Sequence, residues 1–279
     1  MIVLHQRAEI ESYMLDLRKF SSSIGFVPTM GALHAGHMSL VSKSLEQNDY
    51  TVVSIFVNPT QFNNSNDLET YPRTLTADLA MLEAAGCDVV FVPEVHEIYP
   101  EGTDVQESYD FGNLEMVMEG VHRPGHFKGV ANVVHRLFKM VMPTRSYFGL
   151  KDYQQLAIIK ALVAQYSLPI EIIPCEIVRE PDGLAMSSRN VRLLPEQRKH
   201  AVFISQALFN AKSQKKSVEE TKKSVINAIK SVPLLLLEYF EIVDGTTLQP
   251  IRQWSESKNP VGCIAVHVGT VRLIDVIMF

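Results

Sequence analysis

The chain has 279 residues, of which 46% are hydrophobic and 20% are charged, and its formal net charge is −5 at pH 7. This composition is ordinary for a globular protein with enough apolar mass for one or two domains. The acidic balance argues against a protein that binds nucleic acid through a general basic surface. No apolar run approaches the ~18 residues that a membrane-spanning helix needs, so no membrane partner is expected.

The first residues are charged and polar where a signal peptide has an apolar core, so none is expected. The three cysteines, Cys87, Cys175 and Cys263, form no CxxC pair. Neither a disulfide framework nor a zinc site is expected from them, and buried thiols in a reducing compartment are the simplest interpretation. We therefore expect a soluble cytoplasmic protein.

The first part of the chain alternates short β-branched runs with helical patterns. Strands are predicted at 24–28, 51–57, 88–92, 146–148 and 170–174, and helices near 36–47, 75–85, 129–142 and 153–165. Near-continuously apolar strands that alternate with helices are typical of a parallel sheet with helices on both faces. Such α/β sheets bind ligands beyond the carboxyl ends of their strands.

The last part of the chain follows a different pattern. Helices are predicted near 195–212 and 218–231, followed by strands at 236–243, 262–268 and 271–277, with a hairpin turn between the last two. The net charge is −9 for residues 1–177 and +4 for residues 178–279. We predict two domains with these bounds, of which the second is a smaller α+β domain.

The segment from Phe26 to His37 follows a predicted strand and opens a predicted helix. A helix start presents unpaired N–H groups and the positive end of the helix dipole, which suit a phosphate. His34 and His37 are three residues apart and share a helix face, while Gly31 and Gly36 allow the backbone to approach a ligand closely. Two surface histidines are the simpler alternative, and zinc lacks a third ligand at suitable spacing.

This HxGH segment resembles the signature of the nucleotidyltransferase superfamily, whose members expel diphosphate from ATP. The superfamily implies a second, mobile KMSKS-like loop downstream, and residues 183–190 stand in that place. Ser187, Ser188 and Arg189 supply two hydroxyls and a guanidinium for phosphate oxygens. Because few large apolar side chains anchor residues 182–190, we predict that they are mobile. A polar turn between domains is the alternative.

Two further segments carry polar side chains after predicted strands. Lys151 offers a cation for a phosphate, Asp152 can accept from ribose hydroxyls, and the Gln155 amide can bind a small polar substrate. An Asp152 helix cap is the simpler interpretation of that segment. Asn58 and Gln61 follow the strand pattern at 51–57 and are predicted to face the same crevice as the first helix. A simple exit from strand to turn is the plainer interpretation of this segment taken alone.

Six segments together resemble the pantothenate synthetase (pantoate–β-alanine ligase) family. They cover roughly residues 25–195 in order, and the match weakens after them. The segments are PTMGALHAGHMSLV, SIFVNPTQF, DLETYPRT, RPGHFKGVANVV, YFGLKDYQQL and DGLAMSSRN.

The resemblance implies a Rossmann-like catalytic domain with a C-terminal lid domain. It implies ATP-dependent ligation of pantoate and β-alanine to pantothenate through a pantoyl adenylate, with release of AMP and diphosphate. The implied catalytic residues are His37, His34, Lys151 and Arg189. The implied ATP-binding residues are Met30, Gly31, His34, Gly36, His37, Gly149, Leu150, Lys151, Asp152, Val178, Met186, Ser187, Ser188 and Arg189. Gln61 and Gln155, with Asn58 beside them, are expected to bind pantoate and β-alanine.

Mg²⁺ is expected to arrive with ATP, with Asp78 as a candidate to face it, and the family implies a homodimer. The sequence departs from the family pattern at Asn63 and Asn66, which leave the shape of the 63–70 loop open, and at Asn132. An adenylyltransferase that moves AMP to a phosphate-bearing substrate is the alternative enzyme, but it gives Gln61 and Gln155 no role. A tRNA synthetase is not expected, because it would need an anticodon module and a basic surface, and the sequence indicates neither. A nucleotide-binding regulator without catalytic activity is also disfavoured, because all the candidate phosphate ligands are present.

Overall fold

The computed structural model describes residues 1–63, 65–103, 108–214 and 216–279. Its strands are β1 (Ile2–Leu4), β2 (Ile24–Thr29), β3 (Tyr50–Ile55), β4 (Val89–Phe91), β5 (Arg145–Gly149), β6 (Glu171–Cys175), β7 (Leu235–Asp244), β8 (Pro260–Val268) and β9 (Val271–Met278). Its α-helices are α1 (Arg7–Arg18), α2 (Ala35–Gln47), α3 (Ser65–Glu69), α4 (Leu75–Ala84), α5 (Val95–Ile98), α6 (Met118–His122), α7 (His126–Val141), α8 (Tyr153–Gln165), α9 (Pro195–Ser213) and α10 (Val218–Lys230).

The first compact unit comprises residues 1–111, 123–149 and 158–175. Its six strands form one parallel sheet in the order β1-β4-β3-β2-β5-β6. The chain adds β3 and β4 on one side of β2 and then β5 and β6 on the other. The parallel α/β fold predicted from the strand pattern is confirmed, and the direction of strand addition reverses beside β2.

Both faces of this sheet are covered by helices. Val27 of β2 packs in a cluster with Val41 of α2 and Leu82 of α4, whereas the neighbouring Phe26 meets Phe138 of α7 edge to face at 6.3 Å between ring centroids. Successive residues of a strand point to opposite faces, so α2 and α4 lie on one face and α7 on the other. Burial on both faces explains why the strands of the sheet are mostly apolar and do not alternate with polar residues.

The second compact unit comprises residues 112–122, 150–157 and 176–279. Its antiparallel sheet has the order β7-β8-β9, and Val268 pairs with Val271 across the predicted hairpin turn. Ile264 packs in a cluster with residues of α9 and α10, whereas Cys263 packs on the other face with Met118 of α6. The predicted α+β architecture of this region is confirmed.

A charge cluster around the buried Glu119 holds residues 112–122 within the second unit. The guanidinium of Arg272 on β9 donates to both carboxylate oxygens of Glu119, at 2.8 and 2.6 Å, and also to Glu238. The Tyr239 hydroxyl donates to Glu119 at 2.7 Å. A buried carboxylate needs such partners because the interior solvates charge poorly.

The two units do not divide at one point of the sequence, because residues 112–122 and 150–157 belong to the second unit. A boundary at Val178 therefore stays a prediction. The sequence also predicted no structure for β1, α1 or the short helices α3, α5 and α6. In the described part of the chain, no helix is both long and apolar enough to cross a bilayer.

Candidate active site

The loop between β2 and α2 has a specific backbone conformation. Gly31 and Ala32 both adopt positive φ, at 78° and 48°, a region that glycine enters freely and alanine rarely. A Cβ at Gly31 would also lie 3.1 Å from the Asp78 carboxylate. The loop therefore needs an external hold to keep Ala32 in this conformation.

Asp78 of α4 supplies that hold. Its carboxylate, with the residue 1% exposed, accepts the Ala32 N–H at 2.9 Å, the Leu33 N–H at 2.8 Å and the Thr74 hydroxyl at 3.0 Å. Both oxygens are thus engaged with the protein. The expectation that Asp78 faces magnesium stays a prediction, and no group of three or more His, Cys, Asp or Glu in the described residues could hold a metal ion.

His34 and His37 come together at the start of α2. Their ring centroids lie 4.1 Å apart, and His34 is the N-cap, with its Nδ1 accepting the Gly36 N–H at 3.1 Å. Because Nδ1 is the acceptor, the neutral ring carries its proton on Nε2. The first turn of α2 has no acidic residue. The helix start therefore combines the positive end of a dipole with imidazole donors, which suits an anion.

Gln61 lies beside this loop. Its Nε2 is 2.8 Å from Met30 Sδ, and its backbone carbonyl accepts from the His126 ring at 2.9 Å. The turn that carries Gln61 is a 3₁₀ helix, Pro59–Gln61, capped by Asn58. The side-chain amides of Asn58 and Gln61, which were predicted to face one crevice, are therefore adjacent. Gln61 contacts the loop that precedes His34.

A cavity of about 710 Å³ opens beyond the carboxyl ends of β2, β3 and β4 in the first unit. A volume of this size accommodates a small molecule. Polar and charged side chains in its wall include Arg73, Asp78, His96 and Tyr99.

Residues 149–155 carry the predicted lysine, aspartate and glutamine. Lys151 lies in the 3₁₀ turn before α8, with its Nζ 3.7 Å from Asp152. The side chain of Gln154 is buried and binds the backbone of residues 114–119, whereas the side-chain amide of the half-buried Gln155 makes no hydrogen bond with the described residues. Of two adjacent glutamines, Gln155 is the one that can serve a substrate.

The segment that follows Val178 forms a short hairpin. Arg179 pairs with Ala185, and the Met186 N–H donates to the Val178 carbonyl at 3.0 Å, which brings two predicted ATP residues together. Leu184 is buried in the core of the second unit. This anchor differs from the expectation of few apolar contacts in residues 182–190.

Two polar features complete this hairpin. Ser187 Oγ accepts the Arg189 N–H at 3.3 Å and begins the 3₁₀ helix Ser188–Arg192. Asp182 pairs with Arg198 at 2.7 Å, and that hydrogen bond lowers the pKa of the Asp182 carboxyl. The hydroxyl and guanidinium residues thus follow a structured turn.

The predicted site residues divide between the two units. The first unit carries Met30, Gly31, His34, Gly36, His37, Asn58, Gln61 and Gly149. The second unit carries Leu150, Lys151, Asp152, Gln155, Val178, Met186, Ser187, Ser188 and Arg189. The chain passes from one unit to the other between Gly149 and Leu150, inside one of the predicted motifs.

The departures from the family pattern have local partners. Asn63 Nδ2 donates to the Pro124 carbonyl at 2.6 Å, and Asn132 Oδ1 accepts from Arg136 at 3.0 Å. The sequence predicted no shape for the 63–70 loop. Residues 65–69 of it form α3, which includes Asn66, and residue 64 lies outside the described residues.

Sequence reasoning missed Gly129 of α7. A Cβ there would lie 2.4 Å from the Thr60 carbonyl oxygen and 3.0 Å from Gln61 Cα. Only glycine lets α7 approach the turn that carries Gln61 this closely. The sequence does contain an indication of this contact, because a glycine inside a helical pattern usually marks a position where another segment packs closely against the helix.

A parallel sheet with two histidines at a helix start beyond its carboxyl edge is an arrangement found in α/β enzymes that bind phosphate-bearing ligands. The family described as pantoate-beta-alanine ligase matches residues 2–278. A pantothenate synthetase from Bacteroides fragilis is 53% identical over 100% of this chain and 99% of its own. The crystal structure of a pantothenate synthetase from Thermus thermophilus superposes with a TM-score of 0.92 and 41% identity, covering 99% of both chains.

A third relative is the pantoate-beta-alanine ligase from Francisella tularensis, complexed with beta-gamma ATP and beta-alanine. It has a TM-score of 0.83 and 36% identity, and the match covers 100% of this chain and 97% of that one. The chain belongs to the pantoate–β-alanine ligase family. It is an ATP-dependent ligase that joins pantoate to β-alanine through a pantoyl adenylate, and nothing in the comparisons favours an adenylyltransferase.

Proposed function

We propose that the phosphates of ATP bind at the start of α2, against His34 and His37. The observation that carries this proposal is the start of α2, where His34 is the N-cap, its Nδ1 accepts the Gly36 N–H, and its ring lies 4.1 Å from the ring of His37. Imidazole donors at a helix start stabilise negative charge that develops as diphosphate leaves. Met30, Gly31 and Gly36 form the backbone of this site.

The second unit supplies the remaining nucleotide contacts in this proposal. Lys151 and Arg189 neutralise phosphate charge, while the hydroxyls of Ser187 and Ser188 donate to phosphate oxygens. Asp152 accepts from the ribose. The backbone contacts come from Gly149, Leu150, Val178 and Met186, and the last two are already joined by a hydrogen bond.

A carboxylate is a poor acyl donor because it has no good leaving group, so pantoate must first be joined to AMP. A pantoate carboxylate oxygen attacks the α-phosphorus of ATP, the bond to diphosphate breaks, and pantoyl adenylate forms. The uncharged amine of β-alanine then attacks the acyl carbon, AMP leaves, and the amine loses a proton. His34, His37, Lys151 and Arg189 act on the first step by stabilising charge on the phosphates.

We assign pantoate to Gln61 and Gln155, because a neutral amide suits the hydroxyl and carboxylate oxygens of a hydroxy acid. The Gln155 amide makes no hydrogen bond with the described residues, so it can bind a ligand without breaking one. Asn58 is 1% exposed, and its amide is hydrogen-bonded to the protein. It therefore contributes to pantoate binding indirectly, by its hydrogen bond to Gln61.

Mg²⁺ is proposed to enter as the counter-ion of ATP, as part of the substrate. We also propose a homodimer in the cytoplasm and a lid formed by residues 178–279, all of which rest on the family resemblance. Light scattering measures the mass of the protein in solution and tests the dimer directly.

Exchange of labelled diphosphate into ATP tests the site assignment. Exchange should require pantoate but not β-alanine, and His37→Ala should slow it by about 10²-fold, while Lys128→Ala, an exposed change on α7, should not. Full turnover to AMP should require both substrates. Unchanged exchange in His37→Ala would contradict the placement of the phosphates at α2.

A further inference from the structure

The backbone fixes the orientation of the Asn58 amide. Its Nδ2 lies 3.2 Å from the Gly129 carbonyl, which can only accept, and its Oδ1 lies 3.3 Å from the Thr60 N–H, which can only donate. A flipped amide would place like groups against each other at both positions. Asn58 therefore presents its NH₂ group to Gln61.

The Asn58 amide in turn fixes the Gln61 amide. Asn58 Nδ2 donates to Gln61 Oε1 at 3.3 Å, so the oxygen of Gln61 is held by a donor. The NH₂ group of Gln61 then points the other way, toward Met30 in the loop that precedes His34. Gln61 thus offers a hydrogen-bond donor on the side of the nucleotide loop.

Tyr99 holds Asn58 from the far side. Its hydroxyl donates to Asn58 Oδ1 at 2.8 Å, and the residue is 2% exposed. The guanidinium carbon of Arg136 lies 5.1 Å from the centre of the Tyr99 ring, and Arg136 donates to the Ile98 carbonyl at 3.1 Å. Burial raises the pKa of the Tyr99 hydroxyl, which keeps its proton available for donation.

We propose that Tyr99 is a positioning residue for pantoate, which acts through Asn58 to keep the Gln61 amide with its NH₂ group toward the substrate. This inference rests on the proposed function, in which Gln61 binds pantoate. The donor that is held in place selects ligands with an acceptor there, namely a carboxylate or hydroxyl oxygen of a small hydroxy acid. In this inference Tyr99 acts on pantoate through Asn58 and Gln61.

Tyr99→Phe removes one hydroxyl and keeps the ring. Losing a buried hydrogen bond of this kind changes an equilibrium constant by about tenfold, so KM for pantoate should rise by about that factor. The values of kcat and of KM for ATP should stay within about twofold of wild type. Tyr109→Phe is the matched control, because the buried Tyr109 hydroxyl contacts His135 at 3.3 Å. The control should leave KM for pantoate unchanged.

A double-mutant cycle separates a positioning role from a structural one. In a Gln61→Ala background, Tyr99→Phe should cause no further rise in KM for pantoate, since the amide that it positions is gone. Equal effects of Tyr99→Phe in both backgrounds, or no effect in either, would overturn the inference. If Gln61→Ala alone left KM for pantoate unchanged, the assignment of Gln61 would fail and the role of Tyr99 with it.

Discussion

Replacing Asp78 by asparagine should disrupt the loop that precedes α2. Asparagine has the same shape but only one acceptor oxygen, so it can satisfy either the Ala32 N–H or the pair formed by the Leu33 N–H and the Thr74 hydroxyl. Its NH₂ group then faces a donor that loses its partner. A hydrogen bond to a charged group contributes about 1.5–3 kcal/mol, so the free energy of unfolding should fall by about 2–3 kcal/mol.

The same change should slow the first chemical step. His34 follows Leu33 directly, and a displacement of about 1 Å at a reacting group costs about 10²-fold in rate. Urea unfolding measures the stability, and diphosphate release in a single turnover measures adenylate formation. Thr74→Val is the control, because it removes one donor and leaves both backbone contacts of Asp78. A wild-type single-turnover rate in Asp78→Asn would refute the idea that this carboxylate holds the loop in its active shape.

Three further outcomes are expected from the site residues. His37→Ala should lower single-turnover diphosphate release by about 10²-fold, the scale for one preorganised donor, with the fold intact; a near-wild-type rate would exclude this role. Lys151→Ala should weaken the ATP-dependent first step, whereas Gln155→Ala should chiefly raise the concentration of pantoate that the enzyme requires, and the same change in ATP and pantoate dependence in both variants would contradict the assignment. Hydrogen exchange in residues 182–190 should slow with ATP and Mg²⁺ more than with AMP, whereas equal protection would show that this segment does not sense the triphosphate.

The sequence predicted the features that short motifs encode. The strand before Met30, the helix after His34 and the helix after Asp152 lie where their local patterns placed them, because apolar periodicity and glycine positions act over a few residues. The strand expected at 51–57 ends at Ile55, since the chain turns there to bring Asn58 under α7.

The remaining features depend on contacts between distant residues. Asp78 binds a loop 45 residues before it, and Glu119 pairs with Arg272 across 153 residues. Gln154 and Gln155 are identical in chemistry, and only the packing of residues 112–119 makes one structural and leaves the other accessible. No pattern in a single sequence carries such pairings.

The central position of β2 affects how the chain must be synthesised and folded. β3 follows β2 along the chain and covers one edge at once, whereas β5 begins only at Arg145. Until then, the other edge of an apolar strand has unpaired N–H and C=O groups, a template for joining another chain. Residues 112–122 must likewise wait for residues 176–279 to complete their unit. The nascent chain is therefore vulnerable to aggregation at the strand that leads into the nucleotide loop until β5 has been synthesised.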